Sequence, residues 1–229
     1  MKNAAQHTKA LGQLLGKLAS RVPKEPHPQL SPVEQLIAAF MEWDSSSSRA
    51  HAAYQRLMSY AVDLNDLRVT EPADLAAVIG PGYPKSLDRA QRLRSVLNTI
   101  YRREHSVDLS SLVPRPKKEV RAYLDSLDGM VPYVSSAVTL LSFGGHAIPL
   151  DNQLHRKLIE DGVIEPDATF EETQAFLDHH IRFEDALEAH QRLRAYVDAG
   201  AAPSSTAKRP TRKATTKRKK PTKRAGSRR

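Results

Sequence analysis

The chain contains no cysteine in 229 residues, which excludes structural disulfides, thiolate zinc sites, cysteine-ligated iron–sulfur clusters and a cysteine nucleophile. Aromatic residues are scarce at 6%, with a single tryptophan, Trp43. No apolar run approaches the roughly 18 residues of a membrane-crossing helix. The first residues (KNAAQHTKALGQLLGKLAS) mix polar and apolar types throughout, which does not fit a signal peptide. One segment, Ser204 to Arg229, lacks acidic residues and also lacks Val, Leu, Ile, Phe, Tyr and Trp. It has no apolar surface to bury against the entropy of ordering, so it reads as a disordered tail.

That segment holds twelve cations: Lys208, Arg209, Arg212, Lys213, Lys217, Arg218, Lys219, Lys220, Lys223, Arg224, Arg228 and Arg229. The whole chain carries +9, so the other residues hold 23 basic against 26 acidic groups and are slightly acidic. A chain of spaced Lys and Arg suits a polyanion such as DNA or RNA, bound through counterion release without regard to sequence. The plainer readings are a solubilising tail or, in a eukaryote, a nuclear localisation signal at Lys217–Lys220.

The rest of the sequence reads as all-α. Ser31-Pro32-Val33-Glu34 is a capping box with proline at the first helical position, opening a helix to about Trp43. Serines 45–48 predict a loop and N-cap for a helix to about Ala61. Thr70 is expected to cap a short helix that Gly80 ends. Ser86 opens a long amphipathic helix with Leu87, Ala90, Leu93, Leu97 and Ile100 on one face. Its arginines, from Arg89 to Arg103, read as a solvated face or a phosphate rail. Further helices are expected from Pro116 to Leu127, from Pro132 to Phe143, after Asp151, after the capping box Thr169–Glu172, and over 184–198. Residues 1–30 read as a helix and a proline-bearing linker, 31–200 as one helical domain, and 204–229 as the tail.

Two helices joined by Leu127-Asp128-Gly129-Met130-Val131 resemble a helix-hairpin-helix element. The segment Leu127 to Gly144 (LDGMVPYVSSAVTLLSFG), and Asp151 seven residues later in LDNQLHR, follow the pattern of the endonuclease III superfamily. Pro32 to Ala39 (PVEQLIAA) resembles its first domain helix, and GYPKSLDRAQRL a later one. The likeness spans about residues 30–198. It implies a bilobed helical domain with duplex DNA across the cleft and a target base flipped out. Asp151 is then the essential carboxylate, stabilising positive charge on the sugar or activating water. The lysine that forms an imine with the sugar in some members falls at Tyr133, which cannot do so; excision would be monofunctional. Gly129 and Val131 of the hairpin, and Asp44 at the place of the residue that fills the gap left by the flipped base, would face DNA.

Several residues depart from that pattern on the DNA-facing side. Val131 replaces a glycine, Asp128 adds a negative charge and Pro132 removes an N–H donor. Asp151 is also a favourable helix N-cap, and Tyr133 reads equally as core. Trp43 reads as packing between the lobes. The nine histidines show no metal-binding spacing, so no metal or other cofactor is expected. Two readings follow: a monofunctional DNA glycosylase using Asp151 and water, or a catalytically silent DNA-binding descendant of that fold. Both expect a monomer on duplex DNA, at the nucleoid or, in a eukaryote, in the nucleus, with no membrane partner.

Overall fold

The structure, a computed structural model, describes residues 4–21 and 29–200; the basic segment 204–229 and the prolines at 23, 26 and 28 lie outside the described residues. The described residues form eleven α-helices and no strand, which is the expected all-α class. In chain order they are α1 (Ala4–Leu18), α2 (Pro32–Glu42), α3 (Ser47–Tyr60), α4 (Leu64–Val69), α5 (Pro72–Ile79), α6 (Ser86–Glu104), α7 (Lys117–Asp125), α8 (Pro132–Leu141), α9 (Asn152–Glu160), α10 (Phe170–His180) and α11 (Ala186–Gly200).

Helix ends follow local chemistry. Ser31 Oγ accepts from the Glu34 amide while the Glu34 carboxylate accepts from the Ser31 amide, satisfying two orphan donors at the start of α2. Thr169 and Glu172 do the same for α10. Apolar faces then sort into two cores. One is built from α2 to α8 around Leu36, Phe40, Leu93, Leu97 and Val134. The other joins α1 to α9, α10 and α11 around Leu11, Leu18, Leu158, Leu177 and Leu193, with Leu140 at the end of α8 buried among them. The chain therefore makes two lobes and crosses between them twice, before α2 and after α8. The N-terminal helix read as preceding a linker is in fact a core member of the second lobe, packed on α11.

Three local expectations are corrected. Thr70 does not cap α5: it ends α4, its hydroxyl donating to Asp66 O at 2.6 Å, and Glu71 precedes α5 instead. Helix α4 was itself unforeseen, although Asp63 and Asp66 form a reciprocal capping box. Arg89 belongs to no solvated face, since it is 0% exposed and donates to the carbonyls of Pro84, Phe40 and Trp43. Those last two carbonyls end α2, where the helix dipole is negative and a buried cation is best placed. Trp43 is half-buried on the first core, its ring 4.9 Å from Lys85 Nζ and 5.2 Å from the Arg89 guanidinium carbon.

The hairpin between α7 and α8 is closely packed on α6. Gly129 has φ +88°, and a Cβ there would lie 3.0 Å from Arg92 O and 3.1 Å from Ser95 Cβ. Both the backbone conformation and the space require glycine. Val131, where the resemblance expects a second glycine, takes an ordinary extended φ of −117° and is buried, so its side chain brings no strain. Asp128 accepts from Thr99 and ion-pairs with Arg102 at 2.9 Å, which offsets the charge it brings to the turn. Gly129→Ala should cost about 1–3 kcal/mol of stability, read as a lower urea midpoint with an unchanged m-value.

Candidate active site at the lobe seam

Asp151 begins α9 at the seam between the lobes. Its Oδ1 accepts from the Leu154 amide at 2.8 Å, the N-cap bond expected of an aspartate there. Its Oδ2 accepts from the Asp44 amide at 3.2 Å and from Arg194 Nη1 at 3.3 Å. Both oxygens are thus occupied, and the residue is 1% exposed. The sequence expectation set this carboxylate facing a cleft; the structure encloses it. Burial pushes the Asp151 carboxyl above the usual carboxylate range, against the pull of Arg194 and of the donated amides.

Arg194, on α11, organises the enclosure. Its Nε lies 3.2 Å from Glu42 Oε1 at the end of α2, and its Nη2 donates to Ser45 O at 2.7 Å and lies 3.7 Å from Asp198 Oδ1. One guanidinium therefore touches three carboxylates from both lobes. Glu42 also accepts from Tyr133 OH at 2.9 Å and from Ser47 Oγ at 3.2 Å. Burial pushes Glu42 up, but Arg194, His190 and the two hydroxyls outweigh it and hold its carboxyl below the ordinary value. Tyr133 is buried, and burial together with Glu42 raises its phenol well above the usual range. It stands beside Asp151 in the same network but donates its proton to Glu42.

Asp44 forms the outer edge. It lies in the left-handed region at φ +51°, which aspartate tolerates better than most residues. Its carboxylate accepts from the Asn152 amide and from Asn152 Nδ2, both at 2.9 Å, and pairs with Lys85 Nζ at 3.2 Å. Lys85 is also left-handed, at φ +52°. Two of the three described non-glycine residues with positive φ thus meet in one ion pair at the seam. Strain held in this way tends to mark sites whose geometry is over-determined.

The structure thus brings Asp44, Tyr133 and Asp151 into one network, while Gly129 and Val131 sit in the hairpin on α6. The tail cations lie outside the described residues. Glu42, Arg194 and Asp198 were missed. Arg194 left a trace, because it falls inside the buried stripe Ala189, His190, Leu193, Tyr196 and Val197, where a charge needs partners.

No protein-family model matches the chain. The DEMETER-like protein 2 of Arabidopsis thaliana is 30% identical over 129 residues, 53% of this chain. The chain spans about a tenth of that relative's length, 10% by alignment. Among solved structures, endonuclease III trapped as a covalent intermediate with DNA superposes at TM-score 0.64, with 19% identity over 86% of each chain. The 8-oxoguanine glycosylase/lyase of Clostridium acetobutylicum bound to duplex DNA superposes at 0.65, with 16% identity over 86% of this chain and 71% of that one. The 3-methyladenine DNA glycosylase of H. pylori bound to 1,N6-ethenoadenine superposes at 0.56, with 19% identity over 85% and 93%. The chain has the helical fold of the endonuclease III-type helix-hairpin-helix DNA glycosylases.

The depressed Glu42 carboxyl contributes stability above its ordinary value of 4.5 that disappears as pH falls through the folded value. Glu42→Gln should lose about 1.5–3 kcal/mol at pH 7 and show a shallower acid limb, measured by chemical denaturation between pH 3 and 7.

Proposed function

We propose that this chain is a DNA-binding protein on the base-excision glycosylase scaffold in which Asp151 acts as a structural carboxylate, the catalytically silent of the two readings. One observation carries the reading: Asp151 is 1% exposed and both its oxygens are occupied by internal donors. A carboxylate that stabilises a sugar cation must approach it directly, with strong interactions reserved for the transition state. Here Arg194 already takes that contact. DNA binding is supported by the fold shared with DNA-bound relatives and by the twelve cations of 204–229. No described helix is long and apolar enough to cross a membrane. Duplex DNA as partner goes with a nucleoid or, in a eukaryote, a nuclear location, and with a monomer whose domain runs from α1 through α11.

A second reading is favoured by the place of Asp151 at the start of α9, on the seam and close to Tyr133. If the seam opens on DNA, Asp151 and a water would hydrolyse the N-glycosidic bond of a flipped base. With tyrosine where an imine-forming lysine would stand, no strand cleavage by the protein itself follows. Duplexes carrying uracil, 8-oxoguanine opposite adenine, or alkylated purines, incubated with the protein and then treated with alkali, separate the two. The expected result is binding by anisotropy without alkali-labile sites. Base release that vanishes in Asp151→Asn would establish excision instead.

Removing 204–229 should weaken duplex binding and flatten the plot of log Kobs against log salt by several units, since each neutralised phosphate contributes about 0.9. An unchanged slope would show that the tail does not hold phosphates.

A further inference from the structure

Helix α6 carries a polar stripe that the seam does not use. Gln91, Arg94, Ser95, Asn98 and Arg102 recur at helical spacing, and with Pro72 at the start of α5 they line a cleft of about 340 Å³. That volume lies at the lower end of the range for small-molecule sites, roughly 300–1,000 Å³. The cleft shares no residue with the network around Arg194. From Gln91 to Arg102 the helix rises about 16 Å, room for two chemically different ligand groups end to end.

The lining is cationic and only lightly committed. Arg94 Nη2 lies 3.0 Å from Glu71 Oε1, and Arg102 Nη2, which also donates to Thr99 Oγ1, lies 2.9 Å from Asp128 Oδ2. Those two acidic side chains are 67% and 65% exposed, so each reaches its arginine from the solvent side. Arg94 Nε is buried with no acceptor. Arg68, stacked 4.0 Å from the Tyr101 ring centre, adds a third guanidinium beside Asn98 and makes no ion pair among the described residues. Asn98 is spent on structure, donating to the Arg94 and Arg68 carbonyls and accepting from Arg68. Gln91 and Ser95 are not: among the described residues neither side chain has a hydrogen-bond partner.

Exposed ion pairs contribute little, so an anion with more charge and more acceptor oxygens than a carboxylate displaces either one readily. A phosphate is such an anion, and the planar guanidinium fork matches its oxygens. A free amide and a free hydroxyl, each both donor and acceptor, suit a neutral polar group such as a base edge or a sugar hydroxyl. We propose that the cleft between α5 and α6 binds a small phosphorylated ligand of the nucleoside monophosphate class. Arg94 and Arg102 take the phosphate from Glu71 and Asp128, and Gln91 and Ser95 meet the nucleoside. The site stands whether or not the chain acts on DNA.

The test is calorimetric titration of the full chain at fixed salt with 5′-mononucleotides, the matching nucleosides and inorganic phosphate. At least one mononucleotide should bind about tenfold or more tighter than its nucleoside and than inorganic phosphate. Arg94→Gln and Arg102→Gln should each weaken it about tenfold or more. Gln91→Ala and Ser95→Ala should weaken the mononucleotide and leave inorganic phosphate unchanged. Glu71→Gln and Asp128→Asn should tighten it about two- to fivefold, because each frees a guanidinium. Glu160→Gln, which removes the same charge from an exposed pair on the second lobe, should leave it unchanged.

No mononucleotide binding tighter than inorganic phosphate, or equal affinity for nucleotide and nucleoside, would overturn the proposal. So would a mononucleotide affinity untouched by Arg102→Gln, which would put the ligand on the cations of 204–229 or elsewhere. The Arg102 side chain is 66% exposed, so that variant keeps its fold and the comparison stands even if Arg94→Gln does not.

Discussion

Among the contacts that join the two lobes, the Arg194 guanidinium is the hub. Arg194 reaches from α11 to the carboxylate that ends α2, to the carbonyl of Ser45 and to the carboxylate that begins α9. Desolvating that many charges is costly, and the attraction between the guanidinium and its carboxylates must offset it. Losing one partner strands the others, so the residues around Arg194 behave as a unit rather than as separate bonds. Apolar packing builds each lobe. The polar network sets how the lobes meet, and it decides whether Asp151 can reach anything beyond the protein.

Charge is divided unevenly along the molecule. The seam is rich in carboxylates, whereas twelve of the 35 lysines and arginines fall after residue 204, where the sequence has no acid. On the described surface many arginines are already engaged: Arg92 with Asp88, Arg94 with Glu71, Arg102 with Asp128 and Arg121 with Asp125. Such exposed pairs add little stability, but they reduce the net field that α6 and α7 present to a polyanion. Under the proposed reading, non-specific hold belongs to the tail and local geometry to the seam, and the two should respond differently to salt.

Much of the fold was legible because its signals are local. The capping boxes at Ser31 and Thr169 and the glycine at 80 each act within a few residues of themselves, and their helices begin or end where they stand, whereas α8 ends at Leu141, three residues before the double glycine. Asp151 as an N-cap belongs to the same class. Arg89 and Arg194 escaped because most of their partners are carbonyls and carboxylates dozens of residues away, and an arginine on a helix looks the same in sequence whether it meets water or a carbonyl. Thr70 misled because a hydroxyl can end a helix as readily as start one. The enclosure of Asp151 was hidden for a related reason: spacing placed it correctly on α9 but carried no information about α11, whose Arg194 covers it.

The second lobe is assembled from the two extremes of the described chain, and this shapes how the molecule is made. His7 reaches Val163 O, and Arg192 reaches Leu15 O across 177 positions. During synthesis, α1 leaves the ribosome with Leu11 and Leu18 uncovered and must wait for α11 before they are shielded. The first lobe, contiguous from α2 to α8, can collapse in the meantime. Closing the second lobe over such long chain separations carries the larger loop-closure cost, so its apolar faces stay uncovered for longer than those of the first lobe.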